Sequence, residues 1–326
     1  MTATGARSPA APELFEALVA RFGEALERLW PEGGRLGLAV SGGPDSLAML
    51  VLAEAAIQGQ FEVATVDHGL RPESARECAA VAELCAGRGI DCSVLGVTVA
   101  SGNLQSRARA ARYAALGDWA ERRGLSAIAT AHHADDQAET LLMRLNRGSG
   151  VAGLAGVRER GPVPGSNLPL IRPLLAFRRA ELAEVVRAAR VIPVRDPSNA
   201  DDRFERVRMR KGLADASFLD PGAIAAAAGH LSEADVALDW AAQVEWDERV
   251  SAGDEGIRYR RRAPRAVALR VIERAVSAIG ADARGQDLAR LLDRLEAWQG
   301  ANVAGVLVTA EGEDWVFRPE PPRRSG

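Results

Sequence analysis

The chain is 326 residues long, 47% hydrophobic and 26% charged with a net charge of -3, the composition of a globular protein of about two domains that can bury a core without disulfides. Of its 41 basic residues, 40 are arginine and one is lysine, Lys211, which excludes P-loop enzymes, kinases and Schiff-base enzymes, each of which needs a lysine in a set context. Cys78, Cys85 and Cys92 form no CxxC pair and no apolar run reaches 18 residues, so a cytoplasmic protein is expected, without structural zinc, disulfide framework or membrane span.

From Leu36 onward the pattern alternates strand and helix. Predicted strands are Leu36–Val40, Glu62–Val66, Asp91–Val97 and Ala127–Thr130, with helices Leu47–Gln58, Glu73–Arg88 and Leu104–Arg123 between them. This implies an α/β fold with a doubly wound, mostly parallel sheet, whose ligands sit beyond the carboxyl ends of the strands. The Gly/Pro-rich passage from Arg147 to Pro169 reads as loops, and a helix follows at Arg179–Arg190. A turn-rich and then strongly charged stretch runs from Pro193 to Lys211. The domain boundary is placed after it, giving a domain over 1–212, with its core starting at about 34, and a smaller, mainly helical domain over 213–326. In the latter, helices are expected near Ala223–Val250, Pro264–Ile279 and Gln286–Trp298, and a hairpin pairs Val303–Thr309 with Asp314–Arg318.

Charge is distributed in blocks. Residues 158–211 hold 13 basic and 7 acidic side chains, 212–256 hold 1 and 10, and 257–274 hold 7 and 1. A weakly acidic whole therefore does not exclude a nucleic-acid partner, because phosphate responds to local charge.

The first strand runs straight into Ser41, Gly42, Gly43, Pro44, Asp45 and Ser46, and a helix starts at once. Two glycines permit tight turning, the serines offer donors, and the helix amino end favours an anion, so the segment is a phosphate cradle without lysine. This string resembles the pyrophosphate loop of the N-type ATP pyrophosphatases, a superfamily with an adenine nucleotide alpha hydrolase-like fold, which adenylates a carbonyl oxygen with ATP. The remaining strand ends narrow the resemblance. Asp67-His68-Gly69-Leu70-Arg71, Gly102 to Gln105, Ala108 to Tyr113 and Ala131 to Thr140 follow in order, and then Arg147 to Gly150, Arg172 to Leu175 and Asp196 to Asn199 with Asp202, Phe204 and Arg206. Block by block this is similar to the tRNA(Ile)-lysidine synthetases over roughly residues 36 to 211.

Several roles follow as expectations. Asp45 and Asp136 stand at two strand ends and suit Mg2+, with Asp135 left to cap the helix. His68, His132 and His133 lie where hydrogen bonding to nucleotide or proton handling is possible, while His230 is structural. Arg109 and Arg112 share a helix face and reach phosphate. Ser41 to Ser46, Asp67, His68, Arg109, Arg112 and His132 are thus the expected ATP-binding set, and Asp45, Asp136 and Arg206 the expected catalytic set. The resemblance implies free L-lysine and a CAU-anticodon tRNA(Ile) as partners, with the wobble cytidine adenylated at its C2 oxygen before the lysine amine attacks. His133, Arg172, Asp196, Asp202, Arg206, Arg210, Arg260 and Arg261 are expected to meet the tRNA or the lysine, with Tyr259 able to stack on a base. No membrane partner is expected, and a homodimer is left open. Two departures stand out: Val207 occupies a position where the family pattern has asparagine, and the chain resembles the short form without a last C-terminal domain. The alternatives within reach of the motif are another tRNA modifier such as a thiolase, and a non-catalytic nucleotide-binding protein.

Overall fold

Residues 11–69, 71–98, 104–194, 201–254, 256–281, 283 and 285–320 are described by a computed structural model. Helix α1 (Ala11–Leu29) precedes β1 (Leu36–Ala39), α2 (Pro44–Ala56), β2 (Phe61–Asp67), α3 (Pro72–Ala86), β3 (Cys92–Gly96), α4 (Leu104–Arg123), β4 (Ala127–Ala129) and α5 (Ala134–Leu145). A short α6 (Val151–Leu154), β5 (Arg160–Pro162), β6 (Pro169–Ile171), α7 (Arg179–Ala188) and α8 (Glu205–Asp215) complete the first part. The sheet order is β3-β2-β1-β4-β6-β5, parallel throughout except for β5.

Both faces of this sheet are covered, as an apolar parallel sheet requires. On one face α1, α2 and α7 pack Phe22, Met49, Leu50, Leu182 and Val185 against the strands; on the other, α4 contributes Tyr113, Leu116 and Trp119. All eight residues from Ser46 to Ala53 in α2 are buried, so this helix is apolar around its whole circumference. The sequence reading missed α1, whose stripe Leu18, Phe22, Leu26 and Leu29 is buried at helical spacing. It also missed β5 and β6, which are three-residue strands inside the Gly/Pro-rich passage. Pairing with β4 makes β6 a strand, and Arg172 is thereby delivered to a sheet end.

Beyond α8, helix α9 (Pro221–Arg249) leads to β7 (Val250–Gly253), β8 (Gly256–Tyr259), α10 (Arg265–Ala278), α11 (Gly285–Glu296), β9 (Ala301–Val303), β10 (Val306–Glu311) and β11 (Asp314–Pro319). The three expected helices are α9, α10 and α11. The expected hairpin is β10 with β11, and it is enlarged into a five-stranded antiparallel sheet, β7-β8-β11-β10-β9. Its core joins Tyr259, Ile272, Leu292, Val308 and Phe317.

The chain divides into two compact units at residues 231 and 232, later than the expected 212. Residues 213–231 stay with the first unit because α8 is tied to α5 through Arg210 and Glu139, and the start of α9 through Arg178 and Asp220 at 2.7 Å.

Candidate active site

The loop after β1 is fixed by its own backbone. Gly42 has φ of 82°, and its carbonyl accepts the Val194 N–H at 2.9 Å. A Cβ at Gly42 would meet Val194 Cγ2 at 3.1 Å and Val81 Cγ2 at 3.2 Å, so glycine is required on both conformational and steric grounds. The Ser46 hydroxyl donates to the Gly43 carbonyl at 3.0 Å and accepts the Ser41 N–H at 3.1 Å. Ser46 therefore closes the loop from within. Gly43 caps α2 and Pro44 takes its first position, where no N–H is missed. A cleft of about 300 Å³ opens beside this helix end, lined by Ser41, Gly43, Thr65, His68, Arg112 and Val194 among others. Asp67 holds Ser74, one of the lining residues. Its Oδ1 accepts from the Ser74 hydroxyl at 2.5 Å and the Gly69 N–H at 2.9 Å, which hold the carboxyl below the usual range.

His133 is fully buried at the start of α5, among three carboxylates. Its Nε2 lies 3.5 Å from Asp45 Oδ2 and 3.5 Å from Asp136 Oδ2, and its Nδ1 lies 3.7 Å from Asp135 Oδ2. Burial opposes its imidazolium form, but Asp45 and Asp136 outweigh burial and hold its pKa above the ordinary value. Burial likewise opposes ionisation of Asp45, and the same partner, His133, leaves that carboxyl below its usual range. The expected helix cap is corrected. Asp136 is the third residue of α5 and reaches back to the His133 N–H at 3.2 Å, completing a capping box, whereas Asp135 accepts the Arg179 N–H at 2.8 Å. Capping engages Oδ2 of Asp136, and the Asp136 carboxylate still faces Asp45 across His133.

Asp45 Oδ1 is buried without a hydrogen-bond partner, the condition of an oxygen suited to an incoming cation. Among the described residues no cluster of three protein ligands is present. The unpaired Asp45 oxygen and the nearby Asp136 carboxylate are a donor set that fits Mg2+, which takes one or two carboxylates and fills its remaining positions with water and substrate phosphate.

Arginines surround this acidic centre, and one residue outside the expected set holds them. The side chain of Glu139 is 1% exposed and meets Arg210 at 2.8 Å, Arg179 at 3.2 Å and Arg206 at 3.4 Å. Arg206 also donates to the Thr140 hydroxyl at 2.7 Å. A signal was available: Glu139 follows Asp136 by three residues on α5 and so shares its face. His132 lies in a separate basic setting, with Nδ1 3.1 Å from the Thr130 hydroxyl. Burial, and then Arg172, Arg109, Arg112 and Arg206, push its pKa down to about 3, so the ring is neutral. Arg109 and Arg112 both stack on Tyr113, at 5.0 and 5.1 Å. Arg172 is buried and donates to the Arg158 carbonyl at 2.6 Å. The Nε atoms of Arg112 and Arg172 are buried without partners, which marks this wall as one that accommodates an anion.

Other expected residues are placed elsewhere. Asp196 lies outside the described residues. Asp202 is exposed and pairs with the single lysine, Lys211, at 2.6 Å. Val207 is buried at 6% exposure, a position that an apolar side chain suits where asparagine's amide would need partners. Arg260 and Arg261 belong to the second unit, where they pair with Asp314 at 2.9 Å and Glu296 at 2.5 Å. Tyr259 is corrected outright. Its ring is fully buried and its hydroxyl donates to Glu245 at 3.0 Å, so it cannot stack on a base.

A lysine-free phosphate loop at the carboxyl edge of a doubly wound parallel sheet, with carboxylates beside it, defines a PP-loop ATP-binding protein. A family model described as a PP-loop domain matches residues 15–217. The fold is shared with the U34-tRNA thiolase NcsA from Methanococcus maripaludis, at a TM-score of 0.54 and 17% identity over 67% of this chain and 80% of that one. Within that class the chain belongs to the tRNA(Ile)-lysidine synthase family. It is 50% identical to the tRNA(Ile)-lysidine synthase of Novosphingobium aromaticivorans over 96% of this chain and 97% of the relative. It is 38% identical to that of Zymomonas mobilis subsp. mobilis over 93% and 94%, respectively. Among the described residues, no helix is long and apolar enough to cross a membrane.

Proposed function

We propose that the protein joins free L-lysine to C2 of the wobble cytidine of a CAU-anticodon tRNA(Ile), using ATP to adenylate the C2 oxygen and releasing AMP and pyrophosphate. The observation that carries this reading is the meeting of Asp45 on the phosphate loop and Asp136 on α5 around His133, with Arg210, one of the arginines gathered by Glu139, close enough to act on both carboxylates. The helix amino end and Ser41 to Gly43 receive the phosphates of ATP, and the cleft beside them takes the nucleoside. Asp45 and Asp136 would hold Mg2+, which supplies charge neutralisation for the departing pyrophosphate. Arg206 and Arg210, kept in place by Glu139, face the same anionic groups, so negative charge gained in the adenylation step finds fixed guanidinium partners. His132, neutral at physiological pH, is able to donate or accept a hydrogen bond without adding charge beside the RNA phosphates. Catalysis is assigned to the first unit, and tRNA contact, in the cytoplasm, is shared with the second.

The test is lysine incorporation by purified protein with ATP, Mg2+, labelled lysine and CAU-anticodon tRNA. Lysine should enter that tRNA and not one with a different wobble base. Folded protein that transfers no lysine refutes the proposal. Asp45→Asn should eliminate transfer while leaving the melting temperature within a few degrees of wild type.

A further inference from the structure

The second unit carries a cavity of its own, about 520 Å³, with Arg249, Arg260, Arg262, Trp298 and Trp315 on its walls. Two features separate it from the surrounding surface. Trp298 stands 67% exposed just beyond α11, with φ of 59°. Its N–H donates to the Leu295 carbonyl at 3.0 Å, and the next residue, Gln299, returns to the Arg294 carbonyl at 2.8 Å, closing the helix end. That left-handed position ordinarily belongs to glycine or asparagine. Here it holds the bulkiest of side chains, and little of the indole is buried in return. A strained residue with no packing role points to a ligand.

The second feature is charge. Arg262 forms no ion pair within 4 Å among the described residues and Arg249 has only the attraction of Glu245, whereas Arg260 and Arg261 are held by Asp314 and Glu296. The two glutamates on the rim are already matched, Glu296 by Arg261 and Arg265, and Glu313 by Arg260. The cavity thus presents the guanidinium of Arg262 without an ion pair, and that of Arg249 matched only by Glu245, beside one exposed aromatic face.

We propose that this cavity binds one unpaired nucleotide of the RNA substrate, its base stacked on Trp298 and its phosphate against Arg249 and Arg262. Stacking on an aromatic ring needs no particular base, and an open cup of this volume is wide enough for a nucleotide. An acidic peptide would satisfy the arginines but would leave the indole without a planar partner. The inference rests on the reading that the protein acts on tRNA, and it adds a contact that works through affinity, away from the chemistry.

The test uses the full chain in two assays. In lysine transfer to CAU-anticodon tRNA, Trp298→Gly should raise KM for tRNA about tenfold with kcat unchanged, while Trp298→Phe stays near wild type. Because glycine is favoured at this φ, Trp298→Gly should melt no lower than wild type, so a loss of affinity is not a loss of fold. Arg262→Ala should weaken tRNA binding and lower the slope of affinity against salt by about one, and Trp298→Gly should leave that slope intact. In the second assay, a single-stranded pentaribonucleotide should quench tryptophan fluorescence in wild type and not in Trp298→Gly. Unchanged KM and unchanged quenching in Trp298→Gly overturn the proposal, as does an acidic peptide that displaces the oligonucleotide while itself binding Trp298→Gly as tightly as wild type. If wild type transferred no lysine to tRNA, the functional reading would fail by itself, and the oligonucleotide assay would still decide the cup.

Discussion

Removing the carboxylate of Glu139 tests how the arginines are held. The side chain is 1% exposed and contacts three guanidinium groups within 3.4 Å, while those three arginines keep 32 to 43% of their own exposure. Breaking a fully buried ion pair costs about 3–5 kcal/mol, because the surviving charge is stranded. Here water still reaches the arginines, so Glu139→Ala should cost about 3 kcal/mol, the lower end of that range. Glu139→Gln keeps the volume and one acceptor oxygen and should cost about 1–2 kcal/mol, the scale of a charge-assisted hydrogen bond. For a unit of this size each kcal/mol shifts the melting temperature by about 2–4 °C, so the alanine variant should melt about 6–12 °C lower. Lysine transfer should fall about a hundredfold in both variants, since Arg206 is no longer aimed. Thermal unfolding and transfer kinetics would be measured on Glu139→Ala, Arg210→Ala and the double variant. If Glu139 is the common anchor, the double variant loses less than the sum of the singles. Strictly additive losses, or an alanine variant that melts within 2 °C of wild type, would refute the argument.

Three further outcomes follow from positions with a clear physical demand. Gly42→Ala places a Cβ 3.1 Å from Val194 and strains a φ of 82°; it should cost about 1–2 kcal/mol and raise the Kd for ATP at least tenfold, measured by calorimetry. Gly256→Ala is harsher, since its Cβ would lie 2.2 Å from the Phe317 carbonyl at φ of 112°; it should unpair β8 from β11 and abolish the cooperative melting of the second unit, read by circular dichroism. The pH dependence of stability separates the two adjacent histidines. His132 is depressed to about 3 in the folded protein, so the unfolded chain binds its proton first, and stability is lost as pH falls from about 6.5 towards 3. His133 is raised, so its contribution is fully present below about 6.5 and is lost as pH rises through its folded value; Asp45 is lowered, so its contribution is present above about 3.9 and is lost as pH falls through its folded value. His132→Asn should therefore flatten the decline in stability between pH 6.5 and 4, and an unchanged slope would show that this ring is not the buried neutral base described.

The parallel sheet was legible because its strands are continuous apolar runs separated by amphipathic helices. The four predicted strands coincide with β1 to β4 to within two residues at each end. The phosphate loop was equally legible, since two glycines, a proline and a serine at a strand-to-helix junction each answer a local backbone demand. Short β5 and β6 were hidden, because three residues carry no periodicity and only pairing with β4 makes them strands. Tyr259 was misread for the complementary reason: a tyrosine within an arginine run looks exposed until the sheet that buries it is assembled.

By itself, then, the order of residues determined what local chemistry can encode: the alternating fold, the lysine-free cradle, and the block of residues from Ala131 to Thr140 that signals the family. Tertiary structure alone decided which charges meet. It brought Arg179, Arg206 and Arg210, 40 to 71 positions along the chain, onto Glu139. It also set His133 among carboxylates that raise its pKa and His132 among arginines as a neutral ring, although the two are neighbours in sequence. Electrostatic environment is a sum over everything nearby in space, and proximity in space for these groups is created only when α2, α4, α7 and α8 are packed around the start of α5.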